Sequence, residues 1–95
     1  MKKAYAIGHI KIKEPMKWEE YRSKVPETLL PYKAELVFRG KLFEALSGAH
    51  DFTDTVVIRF PCLQDLNDWH NSTAYQQLVA LRKQAADVTL LSFEE

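Results

Sequence analysis

The run Thr55-Val56-Val57-Ile58-Arg59-Phe60, closed by Pro61, constrains this chain more than any other stretch. It is the most apolar extended segment and is rich in β-branched residues, which suit a pleated, part-buried surface. It therefore belongs inside a sheet, and Pro61, which cannot donate to a ladder, ends it. Two short helical segments are expected to follow, reaching Arg82 and beyond, as cover for one face of that sheet. The first carries Leu66 and either Trp69 or His70 inward, and Asn71-Ser72-Thr73 interrupts it. Ser72 suits the N-cap of the second, where Tyr75, Leu78, Val79, Arg82 and Ala85 line one side.

The remaining elements follow from periodicity. Lys3–Ile12 alternates as a strand, with Ala4, Ala6, Gly8, Ile10 and Ile12 on one face and Tyr5, Ile7 and His9 on the other. The small side chains on the first face predict close approach by a helix. Pro15 suits the first position of a helix in which Trp18, Tyr21, Val25 and Leu29 recur at helical spacing. Pro26 must kink or divide it, and Pro31 is expected to end it. Ala34–Leu46 reads as one extended segment with a bulge at Arg39-Gly40-Lys41, since glycine accepts positive φ. Ser47–Thr53 is a polar loop, and Val88–Phe93 is a last strand. The order β-α-β-β-α-β, with the second helix broken, is the split βαβ arrangement: an α+β fold with an antiparallel sheet covered by helices on one face.

Ninety-five residues make one domain, 1–95. Such a chain buries only about 60–65% of the surface its unfolded form exposes, and the single cysteine, Cys62, excludes an internal disulfide. Oligomerisation is the remaining source of burial, and two copies stacked sheet to sheet would cover the open face. Thirteen basic and thirteen acidic side chains cancel, which gives no electrostatic case for nucleic acid or an anionic membrane. Lys2 and Lys3 precede a short apolar run like the start of a signal peptide, but His9, Lys11 and Lys13 break it. No apolar stretch is long enough to span a membrane, so the expected location is cytoplasmic.

The stretches Val25-Pro26, Arg39-Gly40, Val56-Val57-Ile58-Arg59-Phe60-Pro61, Ser72-Thr73-Ala74-Tyr75-Gln76 and Leu81-Arg82 with Ala85-Ala86 resemble the small bacterial family called domain of unknown function thirteen-thirty. That family belongs by fold to the dimeric α/β barrels, which include cofactor-free monooxygenases, isomerases and haem-dependent enzymes. The resemblance implies a ferredoxin-like subunit that forms a homodimer, a dimeric α/β barrel, and it implies no activity. Two departures stand out: Cys62 where a capping serine is common, and Lys33-Ala34 in place of a common glycine pair.

Chemistry-bearing residues are sparse. His9, His50 and His70 lack the spacing of a metal site, and no cofactor motif is present, so neither metal nor cofactor is expected. Asp51, Asp54 and Glu44 read as turn formers rather than an acid–base pair. Cys62 reads as an inert thiol, and Trp18 reads as a core aromatic. Arg39, Arg59 and Arg82 sit in apolar settings, where a guanidinium needs a carboxylate or an anionic ligand. Their expected partners are Glu44, Asp54 or Asp87, with Glu44 or Asp54 favoured for Arg39. The leading reading is a homodimer that binds a small molecule in a pocket between sheet and helices, lined by His9, Tyr21, Arg39, Trp69, Tyr75 and Arg82. A second is a cofactor-free isomerase or monooxygenase in which His9 or Tyr21 moves a proton. A third is a purely structural or regulatory dimer.

Overall fold

Four strands form one antiparallel sheet in the computed structural model, which describes residues 2–95. They are β1 (Ala4–Ile12), β2 (Glu35–Lys41), β3 (Asp54–Phe60) and β4 (Ala86–Glu94), in the order β2-β3-β1-β4. The apolar run of β3 is thus interior, between β2 and β1. Helix α1 (Pro15–Leu29) connects β1 to β2, and α2 (Leu63–His70), α3 (Thr73–Gln76) and α4 (Val79–Ala85) connect β3 to β4. This is the ferredoxin-like β-α-β-β-α-β arrangement, with the second helix in three pieces.

The core lies between the helices and one face of the sheet. Ala4, Ala6, Gly8 and Ile10 of β1 are all buried there, and the first three are small enough to let α2 and its neighbours approach closely. Ile58 and Phe60 of β3 share that face. Trp69, Tyr75 and Phe60 are the largest fully buried side chains, and the Trp69 ring centroid lies 4.3 Å from Tyr75 and 5.5 Å from Phe60. Burial of the Phe60 ring alone contributes about 1.5–3 kcal/mol. Ser72 caps α3 as its residue type suggests: its Oγ accepts from the Tyr75 amide at 3.2 Å and donates to the Trp69 carbonyl at 2.6 Å. Cys62 occupies the N-cap of α2 and makes no side-chain cap bond.

Three segments differ from the sequence reading. The segment after Ser72 breaks again between Gln76 and Val79, giving α3 and α4 where one helix was expected. Pro26 does not divide helix α1, which runs through it to Leu29 with Pro26 on the exposed side in the last four residues. A 3₁₀ turn, Leu30–Tyr32, follows it, and Lys33 then adopts left-handed backbone at φ 55°. Strand β2 ends at Lys41, short of the expected Leu46, and its register shift falls between Leu36 and Phe38. The bulge is therefore not at Gly40, whose φ is not positive. Gly40 serves another purpose: a Cβ there would lie 2.5 Å from the Phe38 ring, so the missing side chain seats that ring.

Candidate functional site

The register shift in β2 decides what faces the helices. Before it, Leu36 pairs with Ile58, and after it Arg39 pairs with Val56, so both residues lie on the covered side while Phe38 goes to the open side with Val57. Without the extra residue Arg39 would point away from the helices. Instead it helps to line a cavity of about 80 Å³. Gly8 and Ile10 of β1, Val56 and Ile58 of β3 and Val88 and Leu90 of β4 form the floor. A Cβ at Gly8 would meet Val56 at 3.1 Å and Leu90 at 3.6 Å, so glycine keeps the floor open. Trp18, Tyr21 and Val25 of α1 form the roof, and Trp69 and Tyr75 close one end. Arg22, Arg39 and Asp54, each half-buried or exposed, supply charge among these apolar walls.

A chain of hydrogen bonds runs along the buried end. Arg82 donates through a terminal nitrogen to the Tyr75 hydroxyl at 2.7 Å, and the Tyr75 and Tyr21 hydroxyls lie 2.9 Å apart. Burial, then the neighbouring Tyr75, pushes the Tyr21 phenol well above the usual tyrosine range, partly countered by Arg82. Tyr21 therefore stays protonated throughout the neutral range. Trp69 is held in the same way: its indole N–H donates to Thr28 Oγ1 at 2.9 Å, and Thr28 donates to the Val25 carbonyl at 2.6 Å.

The residues singled out from the sequence divide between two places. Tyr21, Arg39, Trp69 and Tyr75 all line the cavity, and Arg82 reaches it through Tyr75. His9 does not. Strand alternation puts it on the open face with Tyr5 and Ile7, where Nδ1 lies 3.1 Å from Thr55 Oγ1 and the ring centroid lies 5.2 Å from that of His50. The arginines also find different partners from those expected. Arg59 makes two bonds to Glu35 across the β2–β3 pair, at 2.9 and 2.6 Å. Asp87 meets Lys13 at 3.4 Å rather than an arginine. Arg39 is exposed and forms no ion pair among the described residues, because β2 is an edge strand and leaves a long side chain room to reach water. Asp54 lines the same cavity and accepts from the Thr53 hydroxyl at 2.8 Å.

Arg22, Asp54 and Gly8 line the cavity and Thr28 supports it, although none of them was among the candidate pocket residues read from the sequence. Thr28 was detectable in principle: it extends the Trp18, Tyr21, Val25 stripe by one more turn, and a polar residue on a buried stripe needs a partner. Among the described residues, no three His, Cys, Asp or Glu side chains converge to hold a metal ion. No helix is long and apolar enough to cross a membrane, again among the described residues.

Fold and site together define an α+β, ferredoxin-like protein with a small apolar cavity beneath its helices and arginines at the cavity's edge. Residues 3–95 match the family described as Domain of unknown function (DUF1330), and the chain belongs to that family. Its structure is similar to that of RPA0582, a protein of unknown function from Rhodopseudomonas palustris, with TM-score 0.82 at 13% identity over 99% of this chain and 82% of that one. It is also similar to SnoaB, a cofactor-independent oxygenase from Streptomyces nogalater (TM-score 0.71, 7% identity, 98% and 92% of the two chains). A dimeric ferredoxin-like protein of unknown function from Jannaschia sp. CCS1 gives TM-score 0.70 at 9% identity over 98% and 99% of the two chains. A search of the curated proteins finds no match.

Proposed function

We propose that this chain acts as one domain in a homodimer and binds a small molecule in the cavity between sheet and helices. The observation that carries the reading is the cavity itself: apolar walls, a floor kept open at Gly8, and a few polar groups at one end and at the edge. That combination is the usual make-up of a small-molecule site. A thermal-shift screen of small carboxylates and quinones tests it, since a ligand that binds only the native state raises its stability. At least one compound class should raise the midpoint in a saturable way. No shift with any member would count against a binding role.

The uncovered sheet face supports the dimer. Phe38, Leu91 and Phe93 are 53%, 40% and 49% exposed on it, beside half-buried Tyr5, Ile7 and Val57. Phe43 and Leu46, in the segment between β2 and β3, are 95% and 89% exposed. A second copy is the partner that these apolar groups suit, as in the dimeric protein of the same fold. Sedimentation should give a dimer with a dissociation constant of about 1 µM or below, roughly −8 kcal/mol. A well-folded monomer at tens of micromolar would sink the proposal. A cytoplasmic location fits the lone thiol Cys62.

The similarity to a cofactor-independent oxygenase favours a second reading, a cofactor-free monooxygenase or isomerase. In that reading Tyr21 acts as a hydrogen-bond donor and not as a base, because its phenol is held above the ordinary range. Turnover of a bound compound separates this reading from simple binding. A purely structural dimer would show neither turnover nor ligand-dependent stabilisation.

A further inference from the structure

The Arg82–Tyr75–Tyr21 chain has one proton too many for the partners present. Two hydroxyls carry two O–H protons. Arg82 already donates to the Tyr75 oxygen, and only one hydroxyl proton is used in the 2.9 Å contact between the two tyrosines. Among the described residues nothing else accepts from either hydroxyl. If Tyr75 donates to Tyr21, the Tyr21 proton is spare; if Tyr21 donates, the Tyr75 proton is. Both rings line the cavity, at 8% and 0% exposure, so the spare donor is buried at its end. A buried donor without an acceptor is costly, and a group that enters the cavity can supply that acceptor.

Charge indicates which acceptor. Arg82 is half-buried and has no ion pair among the described residues, so no carboxylate there neutralises the charge that it brings to the hydroxyl chain. Hydrogen bonds in such a chain polarise one another, which strengthens the terminal O–H as a donor. Of the groups that line the cavity, Arg22 and Arg39 are positive and only Asp54 is negative, with Glu19 bonded to Arg22 outside it at 3.0 Å. Resting on the binding reading above, we propose that the cavity takes an oxyanion, a carboxylate or an enolate oxygen, on the spare tyrosine proton, with Arg82 supplying the compensating charge through Tyr75. The elevated Tyr21 phenol is consistent with a donor that stays protonated. Size limits the rest of the ligand. About 80 Å³ is little more than half of the ~150 Å³ that admits a benzene ring, so the enclosed part holds the oxyanion and a few carbons. A larger body would extend outward past Arg22 and Arg39.

The test compares acids with amides of the same shape, isobutyrate with isobutyramide and benzoate with benzamide, by NMR titration at neutral pH. Xenon serves as an apolar probe of the empty cavity. In the wild type the acid of at least one pair should bind about tenfold or more tighter than its amide, the fold-change that one charge-assisted hydrogen bond confers. Tyr75→Phe and Arg82→Met should each shrink that preference to less than about threefold while the xenon shift persists, and Tyr21→Phe should weaken the acid in the same way. The wild-type acid–amide comparison needs no variant, so a missing preference overturns the assignment even if one of these fails to fold, and Arg39→Ala, at an exposed position, separates the tyrosine proton from the cavity edge as the source of a preference that is present. Equal binding of acid and amide with xenon still bound would overturn the oxyanion assignment and leave the pocket reading standing. A preference abolished by Arg39→Ala but untouched by Tyr75→Phe would also overturn it, by placing the anion at the edge of the cavity. Failure of every probe, xenon included, would overturn both readings.

Discussion

Replacing Thr28 by valine isolates the contact that holds Trp69 in place. Trp69 is 2% exposed, and its indole N–H has Thr28 Oγ1 as acceptor at 2.9 Å. Valine keeps the branched shape of threonine, so no cavity opens and the packing term is small. A buried N–H loses its acceptor, at a cost of about 1–3 kcal/mol, and the Val25 carbonyl loses the Thr28 hydroxyl, a change that is the same with or without the indole. For a chain of this length that corresponds to a melting point roughly 4–8 °C lower per kcal/mol. Urea unfolding followed by tryptophan fluorescence, at fixed protomer concentration, measures it. A cycle with Trp69→Phe adds the decisive check. Once the indole is gone, Thr28→Val has no donor to orphan, so the two losses should fall short of additivity by about 0.5–3 kcal/mol. A single-mutant loss below about 0.5 kcal/mol, or strict additivity, would show that the indole finds another acceptor and that Thr28 does not fix the end wall of the cavity.

Other substitutions probe the edge of the cavity and the turn after α1. Arg39→Ala should leave stability within about 0.5 kcal/mol, as for an exposed side chain, and should reduce whatever stabilisation anionic ligands confer; a loss of about 3–5 kcal/mol would reveal a buried carboxylate partner after all. Lys33→Gly should stabilise the fold by up to about 1 kcal/mol, because a side chain at φ 55° is strained and glycine is not; a lower melting point would show that the lysine stem packs usefully there. Pro26→Ala should change stability by less than about 1 kcal/mol, with the regained helical bond offset by a freer unfolded chain, whereas a loss of several kcal/mol in urea would place the proline ring in the core.

Periodicity carried most of the fold. The β3 run had to be interior because its β-branched residues suit burial, and Pro61 had to end it. The small residues at Ala4, Ala6 and Gly8 marked the helix-covered face before any helix was placed. Ser72 announced a helix start by its own chemistry, since a hydroxyl at that position satisfies an orphan amide. The same alternation put His9 on the opposite face from Gly8, which is why it does not line the cavity.

What the tertiary structure decided depends on contacts between residues far apart in the chain. Local pattern did not locate the register shift in β2, because it depends on how that strand pairs with β3 and on the seat that Gly40 gives the Phe38 ring. That single shift sets Arg39 toward the helices, and the edge position of β2 leaves it exposed rather than paired. The break between α3 and α4 has no proline or glycine to signal it. The hydroxyl chain joins Tyr21 to Tyr75, 54 positions apart, and the indole bond joins Thr28 to Trp69 across 41. Hydrophobic spacing marks such residues as buried, but it carries no record of which polar atoms meet once they are. Pairing of that kind is fixed only when α1 packs against the helices that follow β3, and it is there that the cavity acquires its donor.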